Sequence, residues 1–173
     1  GPANALDRLL DAAALLWADP RVHILLIGGG KQKPQLEARA RTEGLNKVTF
    51  LAPQPKDAMP RYIALADLCY ASLQNIPMFT TTYPNKVFDY LACGKPILTT
   101  IDGVSREVIE NAGAGFYAPH DEPAGIAERI RWASMHPSEL AEMGKRGRAA
   151  AVRDWDRDRF VQHFATLVDK VSR

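Results

Sequence analysis

The chain has 173 residues, and 22 Lys and Arg against 20 Asp and Glu give it a formal net charge of +2 at pH 7. This length suits one domain, or two at most, and the near-neutral balance argues against a dedicated nucleic-acid binder, which usually carries a clustered basic excess. No stretch approaches the roughly 18 uninterrupted apolar residues of a membrane span, and no secretory signal peptide is recognisable, so a cytoplasmic protein is expected.

Helical and strand-like hydrophobic patterns alternate along the chain. A first helix is predicted over 4–18, with Asn4 as its N-cap. Short apolar runs that end at glycine or proline predict buried parallel strands over 22–27, 48–51, 68–73, 96–101 and 115–118. The pattern predicts helices between the strands over 34–43, 57–66, 85–93 and 105–112, and after the last strand over 122–135, 138–152 and 156–171.

Strands that alternate with single helices predict an α/β fold, a doubly wound parallel sheet followed by C-terminal helices. No linker divides the chain, so residues 1–173 are expected to form one domain. In such sheets, ligands bind beyond the carboxyl ends of the strands. This rule selects four loops, which are Gly28–Lys33, Ala52–Lys56, Gln74–Asn85 and Asp102–Ser105.

The two cysteines, Cys69 and Cys93, have neither metal-ligand spacing nor the pattern of a disulfide framework. Cys69 lies in an apolar run, and Cys93 precedes a glycine at the predicted end of a helix. We expect two small, buried or half-buried thiols in a reducing compartment.

The glycines Gly28, Gly29 and Gly30 with Lys31 follow a predicted strand and precede a helix, which is the position of a phosphate-binding turn. The segment lacks the third glycine of a dinucleotide fingerprint and the Ser or Thr of a P-loop. Phosphate binding and a plain strand-to-helix turn therefore remain equal alternatives for these residues.

The segment from Tyr83 to Pro96 is more informative. Asn85 can cap a helix whose free N–H groups belong to Lys86, Val87 and Phe88, and the helix dipole with Lys86 favours an anion such as a diphosphate. Lys86, Asp89 and Tyr90 can face the mouth of the site, where Asp89 can accept two hydroxyl hydrogen bonds from a ribose. The alternative is that Asp89 only complements the helix dipole and pairs with Lys86.

At this point the sequence resembles a family, the C-terminal donor-binding domain of GT-B-fold glycosyltransferases. The resemblance is to retaining family 4, the glycosyl transferases group 1, near bacterial transferases that build cell-surface polysaccharides. It covers nearly the whole chain. The matching stretches are ILLIGGGK (24–31), KVTFLAP (47–53), YIALADLCYASL (62–73), PNKVFDYLACGKPILTT (84–100), SREVIENAGAGFYAPHDEPAGIAERI (105–130) and MGKRGRAAAVRDW (143–155).

The resemblance implies roles for particular residues. The glycines of the first loop line the side of the donor diphosphate, and Leu51, Ala52 and Pro53 lie beside a uracil base. Lys86, Val87 and Phe88 hold the diphosphate, and Asp89 takes the ribose hydroxyls. In many members Asp89 is Glu, the second acid of a Glu-x7-Glu motif.

The first acid of that motif falls at Thr81 in this sequence. Thr81 or Thr82 is therefore expected to contact the donor sugar through a hydroxyl, and the catalytic residues stay unassigned.

The resemblance also implies that two parts of the enzyme are missing from the sequence. These are an N-terminal acceptor-binding domain and the strand that precedes Asn4 in the donor domain. The expected function is to bind a nucleotide-sugar, most simply a UDP-sugar, for transfer to a saccharide or lipid-linked acceptor. No cofactor, metal or nucleic acid is expected, peripheral membrane association of the full-length enzyme is allowed, and the isolated half is expected to be inactive.

Two other functions remain as alternatives. One is a UDP-sugar epimerase of the same architecture, and the other is a non-catalytic nucleotide-binding or interaction module.

Overall fold

The structure is a computed structural model and describes residues 2–156, 161–162 and 164–168. The helices are α1 (Asp7–Leu15), α2 (Lys33–Thr42), α3 (Met59–Leu65), α4 (Asn85–Ala92), α5 (Val104–Asn111), α6 (Pro123–Met135) and α7 (Pro137–Asp154). The strands are β1 (Ile24–Ile27), β2 (Val48–Leu51), β3 (Cys69–Ala71), β4 (Ile97–Thr99) and β5 (Gly115–Tyr117). Two 3-10 turns, Pro2–Asn4 and Pro77–Thr81, complete the elements.

All strand pairs are parallel, which confirms the predicted α/β class. β1 pairs with β2, with Ile24 opposite Val48. β4 lies between β3 and β5, so that Ile97 is opposite both Cys69 and Gly115. Within the described residues the strands thus form a two-stranded and a three-stranded group, and β1 is not hydrogen-bonded to β3.

The two groups share one apolar core under α1 and α6. Its buried members include Leu9 of α1, Leu16 directly after α1, Leu98 of β4 and Ile126 of α6. Partly buried residues of both β1 and β3 pack against this same cluster; they are Ile24, Leu26 and Tyr70. Both strands therefore pack beneath the same helices, although no backbone ladder joins them within the described residues.

The opposite face of the three-stranded group is covered by α4, α5 and α7. Its core joins Val87 and Leu91 of α4 to Ile97 of β4 and Ile109 of α5. All four side chains are at most 1% exposed. Helices thus cover both faces, as a doubly wound fold requires.

Two glycines let α7 approach α4 closely. A Cβ on Gly144 would overlap the carbonyl oxygen of Gly94, and a Cβ on Gly147 would lie 2.9 Å from Cδ2 of Leu91. Arg148 adds a hydrogen bond from its guanidinium to the carbonyl oxygen of Ala92. The end of α4 is therefore held by direct backbone contact with α7.

The predicted helix ends differ from the structure at the first helix. α1 begins at Asp7, and its N-cap residue is Leu6, which makes no side-chain cap bond. Asn4 lies in the preceding 3-10 turn, so its predicted role as N-cap is wrong. The reason is a competing tertiary contact, since the Asn4 side chain binds Lys86 instead.

The last predicted helix, over 156–171, lies partly outside the described residues, at 157–160, 163 and 169–171. Its described residues 161–162 and 164–168 are helical. Across the part of the chain that the structure describes, no helix combines the length and apolar character needed to cross a membrane.

Candidate functional site

The loop after β1 and the loop after β2 meet at the carboxyl ends of their strands. The N–H of Gly28 donates to the carbonyl oxygen of Leu51 over 3.2 Å. Gly29 lies so close to Pro53 that a Cβ there would be 2.6 Å from the proline Cγ. Two stretches predicted to line the donor, 28–30 and 51–53, are thus brought together, and Lys31 is exposed beside them.

Lys33 joins these two loops, a role that sequence reasoning missed. Its ammonium group donates to the carbonyl oxygen of Leu51 over 2.6 Å and lies 3.7 Å from a carboxylate oxygen of Glu37. The start of α2 is thereby tied to the end of β2. The signal in the sequence was only the presence of a lysine at the position where a dinucleotide fingerprint has glycine.

A half-buried cluster of polar groups lies where β3 ends and α4 begins. The Lys86 ammonium donates to the side-chain oxygen of Asn4 over 2.8 Å and to the carbonyl oxygen of Ser72 over 3.1 Å. The Ser72 hydroxyl in turn donates to the carbonyl oxygen of Asn4 over 2.6 Å. Because burial disfavours the charged ammonium, it lowers the pKa of Lys86 to about 8.

The first turn of α4 places its side chains on two distinct faces. Val87 is buried and Phe88 is half-buried, whereas Asn85 and Asp89 are exposed and share one face through their i, i+4 spacing. The carboxylate of Asp89 is therefore accessible to solvent, and its binding of a ribose stays a prediction. The predicted N-cap role of Asn85 is wrong, because Pro84 occupies the N-cap position and Asn85 is the first helical residue.

Tyr90 does not face the mouth of the site, so that prediction is wrong too. Its ring packs against the core between α4 and the three-stranded group. Burial raises the pKa of its hydroxyl, as expected for a phenol removed from water. The physical reason is helical spacing, because Tyr90 lies three residues after the buried Val87 and next to the buried Leu91.

The threonine turn, residues 77–82, lies directly before α4. Thr81 and Thr82 both donate their hydroxyl protons to the carbonyl oxygen of Met78, over 3.2 and 3.0 Å. Thr80 donates in the same way to Pro77 over 2.7 Å. Because a hydroxyl that donates its proton keeps its oxygen lone pairs, each of these groups can still accept a hydrogen bond from a ligand.

Three aromatic rings lie beside the first turn of α4. The ring centroids of Phe88 and Trp155 are 4.8 Å apart, and that of Tyr83 lies 6.1 Å from Phe88 and 5.8 Å from Trp155. Trp155 directly follows α7, so this cluster joins the end of α7 to the start of α4. No local motif indicated the cluster, because its members are far apart in the sequence.

The carboxyl edge of the strands thus carries an exposed carboxylate, a half-buried ammonium, a glycine loop and a helix N-terminus. These groups can bind a hydroxylated and anionic ligand, because the helix dipole and Lys86 favour negative charge while Asp89 accepts hydroxyl protons. The model for the family described as "Glycosyl transferases group 1" matches residues 2–136.

The chain belongs to the group 1 glycosyl transferases. Among curated proteins of similar sequence is the D-rhamnosyltransferase WbpZ of Pseudomonas aeruginosa. The two are 26% identical over 127 residues, which are 73% of this chain and 32% of WbpZ.

Solved structures support the α/β fold described above. HepE of Anabaena in complex with UDP superposes with a TM-score of 0.84 at 22% identity, over 98% of this chain and 46% of HepE. The C-terminal domain of a group 1 family protein, LpcC of Francisella tularensis, superposes with a TM-score of 0.74 at 15% identity, over 90% of this chain and 81% of that domain.

The predicted family and fold class are thereby confirmed. This group 1 glycosyl transferase chain spans about a third of WbpZ and less than half of HepE.

Proposed function

We propose that this group 1 glycosyl transferase chain is the donor-binding half of a retaining enzyme that uses a UDP-sugar. The acceptor is a saccharide or a lipid-linked saccharide in surface polysaccharide synthesis. The observation that carries the proposal is the first turn of α4, where the exposed Asp89 lies one turn after the half-buried Lys86. The binding of UDP by HepE and the rhamnosyl transfer by WbpZ support this proposal.

In the proposed complex the diphosphate lies at the N-terminus of α4. The backbone N–H groups of Lys86 and Phe88 point at it, whereas that of Val87 already donates to the carbonyl oxygen of Pro84 over 3.0 Å. Lys86 also supplies a positive charge from behind the turn. Because Lys86 is largely removed from water, its attraction to a phosphate is screened less than that of a surface lysine. These groups would stabilise the negative charge that develops on the departing UDP, without a metal ion.

The ribose and the base occupy the two sides of this position. Asp89 accepts the two ribose hydroxyls, and the uracil lies beside the loop after β2. The carbonyl oxygens of Leu51 and Ala52 already accept hydrogen bonds, that of Ala52 from the side-chain amide of Gln54 over 3.0 Å. Reading of the base therefore falls to the N–H of Ala52 and to the carbonyl oxygen of Pro53, which has no N–H.

We also propose that the full enzyme has a second domain, and that one more strand completes the sheet of this half. The N–H of Gln74, just beyond β3, donates to the carbonyl oxygen of Ala3 over 2.8 Å, so residues 3–4 lie beside the segment that directly follows β3. A strand placed before them would enter between β1 and β3, parallel to both. The acceptor would bind to the other domain, and the 173-residue chain alone would transfer no sugar.

The proposal is tested by thermal unfolding of the chain in the presence of UDP, ADP and GDP. Selective binding to the folded state raises the unfolding temperature, and at equal ligand concentration a tighter ligand raises it more. We expect the largest rise with UDP, because a small pyrimidine suits the space beside Ala52 and Pro53. Equal rises with all three nucleotides would count against uracil recognition, and no rise with any of them would contradict donor binding.

A further inference from the structure

The threonine turn is fixed from the side by the start of α5. The hydroxyl of Ser105 donates a hydrogen bond to the carbonyl oxygen of Thr82 over 2.8 Å, across 23 positions of the sequence. Ser105 is only 1% exposed, so water does not compete for this bond. The turn therefore takes its position from α5 as well as from the chain on either side of it.

Gly103 provides a second anchor, two residues before Ser105. Its φ is +75°, and a Cβ at this position would overlap the backbone carbonyl of Thr80. Only glycine combines this backbone conformation with so close an approach. Gly103 thus lies directly against Thr80, Ser105 holds Thr82, and Thr81 is placed between the two anchors.

The anchored turn presents hydroxyl oxygens in fixed directions. The Thr81 and Thr82 protons are both directed to the carbonyl oxygen of Met78, which fixes the rotation of each hydroxyl. Thr81 is exposed, so its remaining lone pairs are accessible to a ligand. A shift of the turn would move these acceptors without moving the carboxylate of Asp89, which belongs to α4.

We propose that Ser105 is a positioning residue that sets the preference for the sugar of the donor without touching the donor. This inference rests on the proposed function, in which Thr81 and Thr82 face the sugar and Asp89 faces the ribose. Loss of the Ser105 hydroxyl removes an anchor of the turn and leaves α4 in place. The affinity for the sugar moiety should therefore fall while the affinity for the nucleotide is kept.

Calorimetry with the 173-residue chain can separate the two affinities. One probe is UDP. The other is whichever of UDP-glucose, UDP-galactose and UDP-N-acetylglucosamine the wild type binds most tightly. In Ser105→Ala we expect the affinity for the UDP-sugar to fall about threefold to tenfold, the range for one lost hydrogen bond, and that for UDP to change less than twofold. Cysteine is similar in size to serine but a weaker donor, so the UDP-sugar affinity of Ser105→Cys should lie between those of the wild type and Ser105→Ala.

Ser134→Ala is the matched control. The Ser134 hydroxyl also donates to a backbone carbonyl over 2.8 Å, that of Arg131, but on the exposed side of α6. This variant should leave both affinities unchanged. Thermal unfolding of each variant without ligand establishes that it is folded.

The outcomes distinguish the inference from the proposed function. An equal loss of UDP and UDP-sugar affinity in Ser105→Ala, or no loss of either, overturns the positioning role while the proposed function stands. A wild type that binds neither UDP nor any of the three UDP-sugars overturns the proposed function and this inference with it. A selective loss of UDP-sugar affinity in Ser105→Ala, absent in Ser134→Ala, supports both.

Discussion

The ammonium nitrogen of Lys86 lies 2.8 Å from the side-chain oxygen of Asn4, a residue that precedes it by 82 positions. This contact joins the N-terminal 3-10 turn to the first turn of α4. Both acceptors of the Lys86 ammonium, the Asn4 amide and the Ser72 carbonyl, are neutral. Neither of these two partners is a carboxylate, so they do not neutralise the ammonium. Its positive charge is therefore available to an anionic ligand.

Asn4→Ala should destabilise the chain by about 1–3 kcal/mol, because a partly buried ammonium then loses one of its acceptors. Urea unfolding at pH 7 measures this change. Asn75→Ala is the control, since the Asn75 amide donates to Asp121 at an exposed position. We expect a change under about 0.5 kcal/mol there. If both variants lose equal stability, the contact of Asn4 with Lys86 stabilises the fold no more than the exposed contact of Asn75.

The lowered pKa of Lys86 predicts a particular dependence of stability on pH. Its pKa is about 8 in the folded chain against 10.5 for an unburied lysine, so the unfolded state binds more protons between these values. The contribution of Lys86 to the free energy of unfolding should therefore rise as the pH increases from about 8 to about 10.5. Below pH 8 the cost of burying the charge is present in full.

Lys86→Met isolates this contribution from other groups. The buried thiol of Cys69, whose pKa burial raises to about 12, acts with the opposite sign above its ordinary pKa and is common to both proteins. The variant should be more stable than the wild type at pH 7, and the difference should shrink as the pH rises beyond 8. Unfolding free energies that stay parallel over this range would contradict the assignment.

Asp89→Ala should weaken UDP binding by about tenfold to a hundredfold. One hydrogen bond to a charged acceptor contributes roughly 1.5–3 kcal/mol, and because water competes at the exposed Asp89, its two ribose bonds together are expected to contribute about this much. Because Asp89 is exposed, stability should hardly change. Calorimetry with 2′-deoxy-UDP is the decisive comparison: the wild type should discriminate against it and the variant should not. Unchanged UDP affinity in a folded variant would reduce Asp89 to a helix-dipole role.

Gly144→Ala and Gly125→Ala should change stability in opposite directions. A Cβ on Gly144 meets the backbone of Gly94 and would force α7 away from α4, at a cost of about 2 kcal/mol or more. A Cβ on Gly125, in α6, has only the side chain of Glu122 nearby, at 3.7 Å. Alanine favours a helix over glycine by up to about 1 kcal/mol, so this variant should be more stable. Thermal unfolding compares the two, and a stabilised Gly144→Ala would refute close α4–α7 packing.

The sequence predicted the elements that depend on local patterns. The run from Val22 to Ile27 ends at glycine, and β1 lies within it. Helical spacing puts Val87 and Leu91 on one face of α4, and both are buried in the structure. The same spacing places Tyr90 near the buried face too. The prediction that Tyr90 faces the mouth of the site was wrong.

The parts of the site that local patterns missed depend on long-range contacts. Neither the contact of Asn4 with Lys86 nor that of Ser105 with Thr82 has any signature in spacing, because each joins separate elements. Similarly, Lys33 could be recognised only as a misfit to a glycine motif, and the structure gives its role as a link to Leu51.

The unjoined edges of β1 and β3 bear on how the purified chain behaves in concentrated solution. Cys69 directs its N–H to Pro96 beside β4, so by strand alternation the N–H of Tyr70 points the other way, toward β1. Free donors along a strand edge are a template for pairing with another polypeptide. Two copies of this chain can therefore pair edge to edge. The practical sign would be turbidity that grows with protein concentration. This turbidity should decline when a residue of this strand edge is changed to proline.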